Sequence, residues 1–65
     1  MDKAALRQAE AYRLRAEEVR TTADGMKDLQ FKEALSRLAH AYERLAENLE
    51  RIAVRGIAAN DLTGN

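Results

Sequence analysis

The sequence predicts an all-α fold, an antiparallel two-helix hairpin that dimerises into a four-helix bundle. Three observations carry this expectation. Proline is absent while alanine, leucine, arginine and glutamate abound, and these are the strong helix formers. Two apolar series run in the four-three rhythm of a helical seam, and one turn signal separates them.

The first helix is expected over about residues 2–24. Ala5, Ala9, Tyr12, Ala16, Val19, Ala23 and Met26 step alternately by four and three, which places them along one side of a helix. Asp24, Gly25, Met26, Lys27 and Asp28 then form the break. Gly25 is expected to close the helix in the left-handed conformation. Asp28 is expected to cap the next helix, because its short carboxylate can accept hydrogen bonds from the free N–H groups of the first turn.

The second helix is expected over about residues 28–55. Phe31, Leu35, Leu38, Tyr42, Leu45, Leu49 and Ile52 keep the same rhythm with no polar interruption, so this series predicts the inward seam. A connection this short makes two long helices antiparallel neighbours. Equal rise per residue in both helices then sets Ala23 against Phe31, Val19 against Leu35, Ala16 against Leu38, Tyr12 against Tyr42, Ala9 against Leu45 and Ala5 against Leu49. Residues 1–55 form the hairpin domain. Gly56 is expected to end the helix, leaving residues 56–65 as a flexible tail.

Sixty-five residues bury a modest core, and chains this small obtain further stability from disulfides, a structural metal or oligomerisation. With no cysteine and one histidine, His40, oligomerisation remains. Ala39, Ala46 and Ala53 recur every seven residues beside the leucine seam, and Leu6 and Leu14 lie off the first seam. The apolar arc is therefore wider than one neighbour covers, and a two-fold dimer is the usual solution. The expected oligomer interface comprises Leu6, Leu35, Leu38, Ala39, Tyr42, Leu45, Ala46, Leu49 and Ala53.

Charge narrows the function classes. Eleven basic residues balance eleven acidic ones, and neither helix is a basic block, which weakens a nucleic-acid reading. Arg37, Arg44 and Arg51 form a heptad stripe joined on the first helix by Arg13, Arg20 and Lys27. These arginines are the candidate nucleic-acid contacts, but Glu33, Glu47, Glu10 and Glu17 lie three or four residues before them, the spacing of intrahelical ion pairs. His40, Glu43 and Glu47 share a helix side at metal-ligand spacing, yet a solvent-facing cluster differs from the inward ligands of metal-binding bundles. Ser36 and His40 lack the acid, oxyanion site and cleft that a nucleophile needs. Glycines at 25, 56 and 64 make no phosphate-cradling loop. No catalytic residue, metal or cofactor is therefore expected. The first residues, Met1 to Arg7, carry no continuous apolar stretch, which argues against a secretory signal or membrane span and for a soluble, cytoplasmic protein.

Tyr12, Arg15, Ala16, Glu17 and Arg20, Asp28 at the turn, and Leu35, Leu38, Ala39, Tyr42, Leu45, Ala46 and Glu47 together resemble short bacterial helical-hairpin proteins of unknown function. That resemblance implies the fold and a non-enzymatic role. In architecture alone the chain is similar to plasmid-encoded RNA-binding hairpin dimers, with no residue motif to carry their site across. The expected function is a structural or regulatory protein–protein interaction module acting as a homo-oligomeric, coiled-coil-like bundle, with an RNA- or DNA-binding hairpin dimer as the alternative.

Overall fold

The computed structural model describes the backbone of residues 3–63 and the side chains of residues 3–55. Its two α-helices, α1 (Lys3–Asp24) and α2 (Leu29–Thr63), pack against each other as a hairpin. At 1.5 Å per residue α1 runs for roughly 33 Å and α2 for roughly 52 Å, in keeping with a molecule 56 Å long and 14 by 9 Å across. About the last dozen residues of α2 therefore run past the first residue of α1.

The chain reverses where the turn signal sits, by a different device from the one expected. No described glycine has a positive φ. The Gly25 N–H donates to the Thr22 carbonyl at 3.1 Å and the Met26 N–H to the Ala23 carbonyl at 3.0 Å, so two tight i to i−3 bonds satisfy the last carbonyls of α1. Thr21 and Thr22 donate their hydroxyls to the carbonyls of Glu17 and Glu18, each at 3.0 Å. Asp28 caps α2 as its sequence position predicts: its Oδ1 accepts from the Gln30 N–H at 2.9 Å and the Phe31 N–H at 3.3 Å.

The seam of α1 is the expected one as far as Ala23, whereas Met26, expected to continue it, lies beyond the end of α1 and is 37% exposed. Ala5, Ala9, Ala16 and Ala23 are buried, with Tyr12 and Val19 half-buried between them. On α2 the seam is turned. Ala39, Ala46 and Ala53 are 0–1% exposed, whereas Phe31, Leu38, Leu45 and Ile52 are 62%, 42%, 44% and 51% exposed. Leu35, Tyr42 and Leu49 are half-buried. The Tyr12 and Tyr42 rings stack at 5.8 Å between centroids, so the expected register holds, with Ala16 near the level of Ala39 and Ala9 near that of Ala46. The expected facings of Ala16 with Leu38, Ala9 with Leu45 and Ala23 with Phe31 do not. Two physical gains accompany this turn of α2: alanine facing alanine lets the backbones approach closely, adding dispersion contacts along both helices, and Glu43 and Glu50 come within reach of arginines on α1.

Gly56 does not end α2, which continues to Thr63. A single glycine inside a helix costs about 1 kcal/mol relative to alanine, too little to stop a helix whose following residues, Ile57, Ala58 and Ala59, are helix-compatible. Of the expected tail, the side chains of residues 56–63, and Gly64 and Asn65, lie outside the described residues.

Candidate interaction surface

The two edges of the hairpin differ, and the difference follows from which residues flank the buried seam. Residues that follow seam positions Tyr12, Val19, Tyr42 and Leu49 are Arg13, Arg20, Glu43 and Glu50. They pair across the hairpin. The Arg13 guanidinium grips Glu50 with Nε to Oε2 at 3.0 Å and Nη2 to Oε1 at 2.6 Å, and Arg20 Nη2 lies 2.5 Å from Glu43 Oε1. Both carboxyls sit below their ordinary pKa of 4.5, chiefly because an arginine hydrogen bond favours the charged form, and Glu50 in turn raises the pKa of Arg13.

Sequence spacing alone suggested intrahelical partners for these arginines. The side chains instead reach the other helix, Arg13 in a two-pronged pair with Glu50 that is stronger than a single exposed i, i+3 contact, and Arg20 in a single contact with Glu43. Of the intrahelical pairs expected, Glu47 with Arg51 forms, at 3.8 Å. The signal that could have found the cross-pairs was the shared seven-residue spacing of Arg13 with Arg20 and of Glu43 with Glu50.

The opposite edge is apolar on α2. Residues just before the buried alanines lie there: Leu38, Leu45 and Ile52, continued by Phe31 one heptad earlier. Ala34 and Ala41 fall between them at spacings of three and four, both exposed. Phe31, Ala34, Leu38, Ala41, Leu45 and Ile52 thus make a second four-three seam on α2, interrupted by Asn48 and turned away from α1. Beside it an open groove of about 530 Å³ is bordered by Ala11, Leu14, Arg15, Glu18, Leu35 and Tyr42.

The expected interface residues therefore divide. Leu38 and Leu45 are presented outward. Leu6, Leu35, Tyr42 and Leu49 are half-buried at the hairpin's margins. Ala39, Ala46 and Ala53 are a correction: α1 already covers them within one chain, so they are not available to a partner while the hairpin keeps this packing. Leu14, outside the expected interface, is 57% exposed.

Of the five candidate nucleic-acid contacts, Arg13 and Arg20 are engaged by Glu50 and Glu43, and Arg51 contacts Glu47 and Asn48. Arg37 and Arg44 are exposed with no ion pair among the described residues. His40 Nδ1 lies 3.4 Å from Glu43 Oε1, but Arg20 already holds that carboxylate and Glu47 turns to Arg51. Among the described residues no three His, Cys, Asp or Glu side chains are placed to hold a metal, and no helix is long and apolar enough to cross a membrane.

No protein-family model, curated protein or solved structure matches this chain.

Proposed function

We propose that the chain is a small non-enzymatic interaction module, structural or regulatory in role, which acts as a homo-oligomeric helical bundle in the cytoplasm. The observation that carries this reading is the second seam on α2. Four large apolar side chains recur every seven residues with about half their surface in water, an arrangement that wants another helix laid along it.

The thinness of the hairpin's own core supports the same reading. Among the described residues the buried apolar ones are all alanines, and no large side chain is fully buried. Each buried methyl contributes only about 0.8 kcal/mol, little against the ordering of a hairpin this size. A partner that buries Phe31, Leu38, Leu45 and Ile52 adds the large side chains this core lacks. Light scattering across a dilution series tests the reading: a mass that falls toward that of one chain only on strong dilution supports it, and a fully helical single chain at every concentration overturns it.

Arg37 and Arg44, exposed beside that seam with no acidic partner among the described residues, favour a second reading, a nucleic-acid-binding hairpin dimer. An arginine-driven complex with mixed RNA or DNA should weaken steeply between about 50 and 200 mM salt. Absence of binding at low salt removes this alternative.

A further inference from the structure

The reading above leaves open which helix meets which, and the inference below rests on it. We infer that two copies stack face to face about a two-fold axis perpendicular to the helices, with α2 antiparallel on the partner's α2 and α1 antiparallel on the partner's α1. Three observations carry this arrangement.

The first is that the exposed seam is its own complement. Reversed end for end, it sets Phe31 against the partner's Ile52 and Leu38 against the partner's Leu45, with Ala41 beside the axis where the two backbones come closest. The other face-to-face two-fold, with its axis along the helices, lays the seam on the partner's α1 instead. The matching face there carries Gln8, Arg15 and Thr22, the residues just before Ala9, Ala16 and Ala23, so large apolar groups would meet polar ones.

The second is charge. Arg15 and Glu18 border the same groove, both are exposed, and neither has an ion-pair partner among the described residues. The axis that matches the α2 seams brings Arg15 to the partner's Glu18, and the partner's Arg15 to Glu18, by symmetry. Within the hairpin Arg13 stands near the level of Tyr42 yet meets Glu50 further along, because side chains of antiparallel helices lean toward each other from their own N-termini. Arg15 and the partner's Glu18 would have nearly that stagger. Arg37, Arg44 and Arg51 border the seam on its solvent side, where water and salt screen the repulsion between copies.

The third is area. With the axis beside Ala41, residues 29–54 of α2 overlap those of the partner over roughly 39 Å, and across the 14 Å width of the layer this gives roughly 550 Å² on each partner, the lower end of specific interfaces.

The chain has no cysteine, so single introduced thiols report the geometry without interference. Under mild oxidation Ala41→Cys should give a covalent dimer rapidly, its Cα atoms lying within the roughly 4.4–6.8 Å that a disulfide spans. An Ala11→Cys and Ala41→Cys mixture should give no mixed disulfide. In sedimentation of the cysteine-free protein, Arg15→Glu and Glu18→Arg should each weaken dimerisation by about 5- to 30-fold, and the double exchange should restore it; circular dichroism verifies that each exposed-site variant stays helical. A dimer by sedimentation that links Ala11→Cys to Ala41→Cys, or that ignores the charge exchange, overturns this arrangement and leaves self-association standing. A chain that sediments as a monomer throughout overturns both.

Discussion

Arg13 and Glu50, thirty-seven residues apart in sequence, meet across the hairpin in a two-pronged ion pair, and Arg20 makes a single contact with Glu43 one heptad nearer the turn. The pairing fixes the rotation of α2 about its own axis. Glu43 and Glu50 reach arginine only while Ala39 and Ala46 face α1.

A pH dependence follows. Both glutamates have folded-state pKa values below the ordinary 4.5, so folding gains from them above about pH 4.5 and loses that gain as pH falls through the lowered values. Thermal unfolding should show a lower Tm at pH 3 than at pH 7. The Glu43→Gln/Glu50→Gln variant should be less stable at pH 7 and lose less on acidification. An unchanged pH slope in that variant contradicts the assignment.

The alanine seam makes the opposite demand from a leucine seam. Ala46→Leu should destabilise the hairpin by about 1–3 kcal/mol, since the added atoms must push apart two closely approaching backbones. Urea unfolding at fixed protein concentration measures it. A stabilised variant would mean that Ala46 faces solvent or a loose partner.

At the turn, Gly25 is not conformationally required. It has no positive φ, and a Cβ there would lie 3.7 Å from the Thr22 carbonyl oxygen, an ordinary contact. Gly25→Ala should therefore be neutral or stabilise by up to about 1 kcal/mol through the unfolded chain, again read by urea unfolding. A loss well beyond that would indicate the left-handed closure expected from sequence.

Asp28 is the residue whose loss the turn should feel. Asp28→Ala removes the acceptor of the Gln30 and Phe31 N–H groups and should cost about 0.5–2 kcal/mol, while Asp28→Asn should retain most of the cap. Equal losses in the two variants would point to charge rather than the hydrogen bonds.

Much of this fold was legible in the sequence because helix propensity, seam rhythm and turn chemistry are local. The α1 seam, the Asp28 cap and the Tyr12–Tyr42 register needed only spacing. The rotation of α2 was not legible by the same means. Its leucine series and its alanine series are both regular, and apolar bulk marks Leu38 and Leu45 as core even though close approach puts Ala39 and Ala46 there. The end of α2 is hidden for a related reason: Gly56 signals a stop only when its backbone turns left-handed, and propensity alone does not force that. Of the candidate surface, Leu38 and Leu45 are expected from sequence both in the hairpin seam and at the oligomer interface, and the fold leaves them 42% and 44% exposed. Phe31 and Ile52 were assigned to the hairpin, because a sequence period gives membership of a stripe without saying which neighbour the stripe faces.

The central claim is that a second copy covers the outer seam of α2. Sedimentation equilibrium on the unmodified chain and on Leu38→Glu/Leu45→Glu tests it most directly. The account predicts about twice the 7.3 kDa chain mass for the unmodified protein at tens of micromolar, and a single-chain mass with helicity much reduced for the variant. A helical species of 7.3 kDa for the unmodified protein over that range would contradict it.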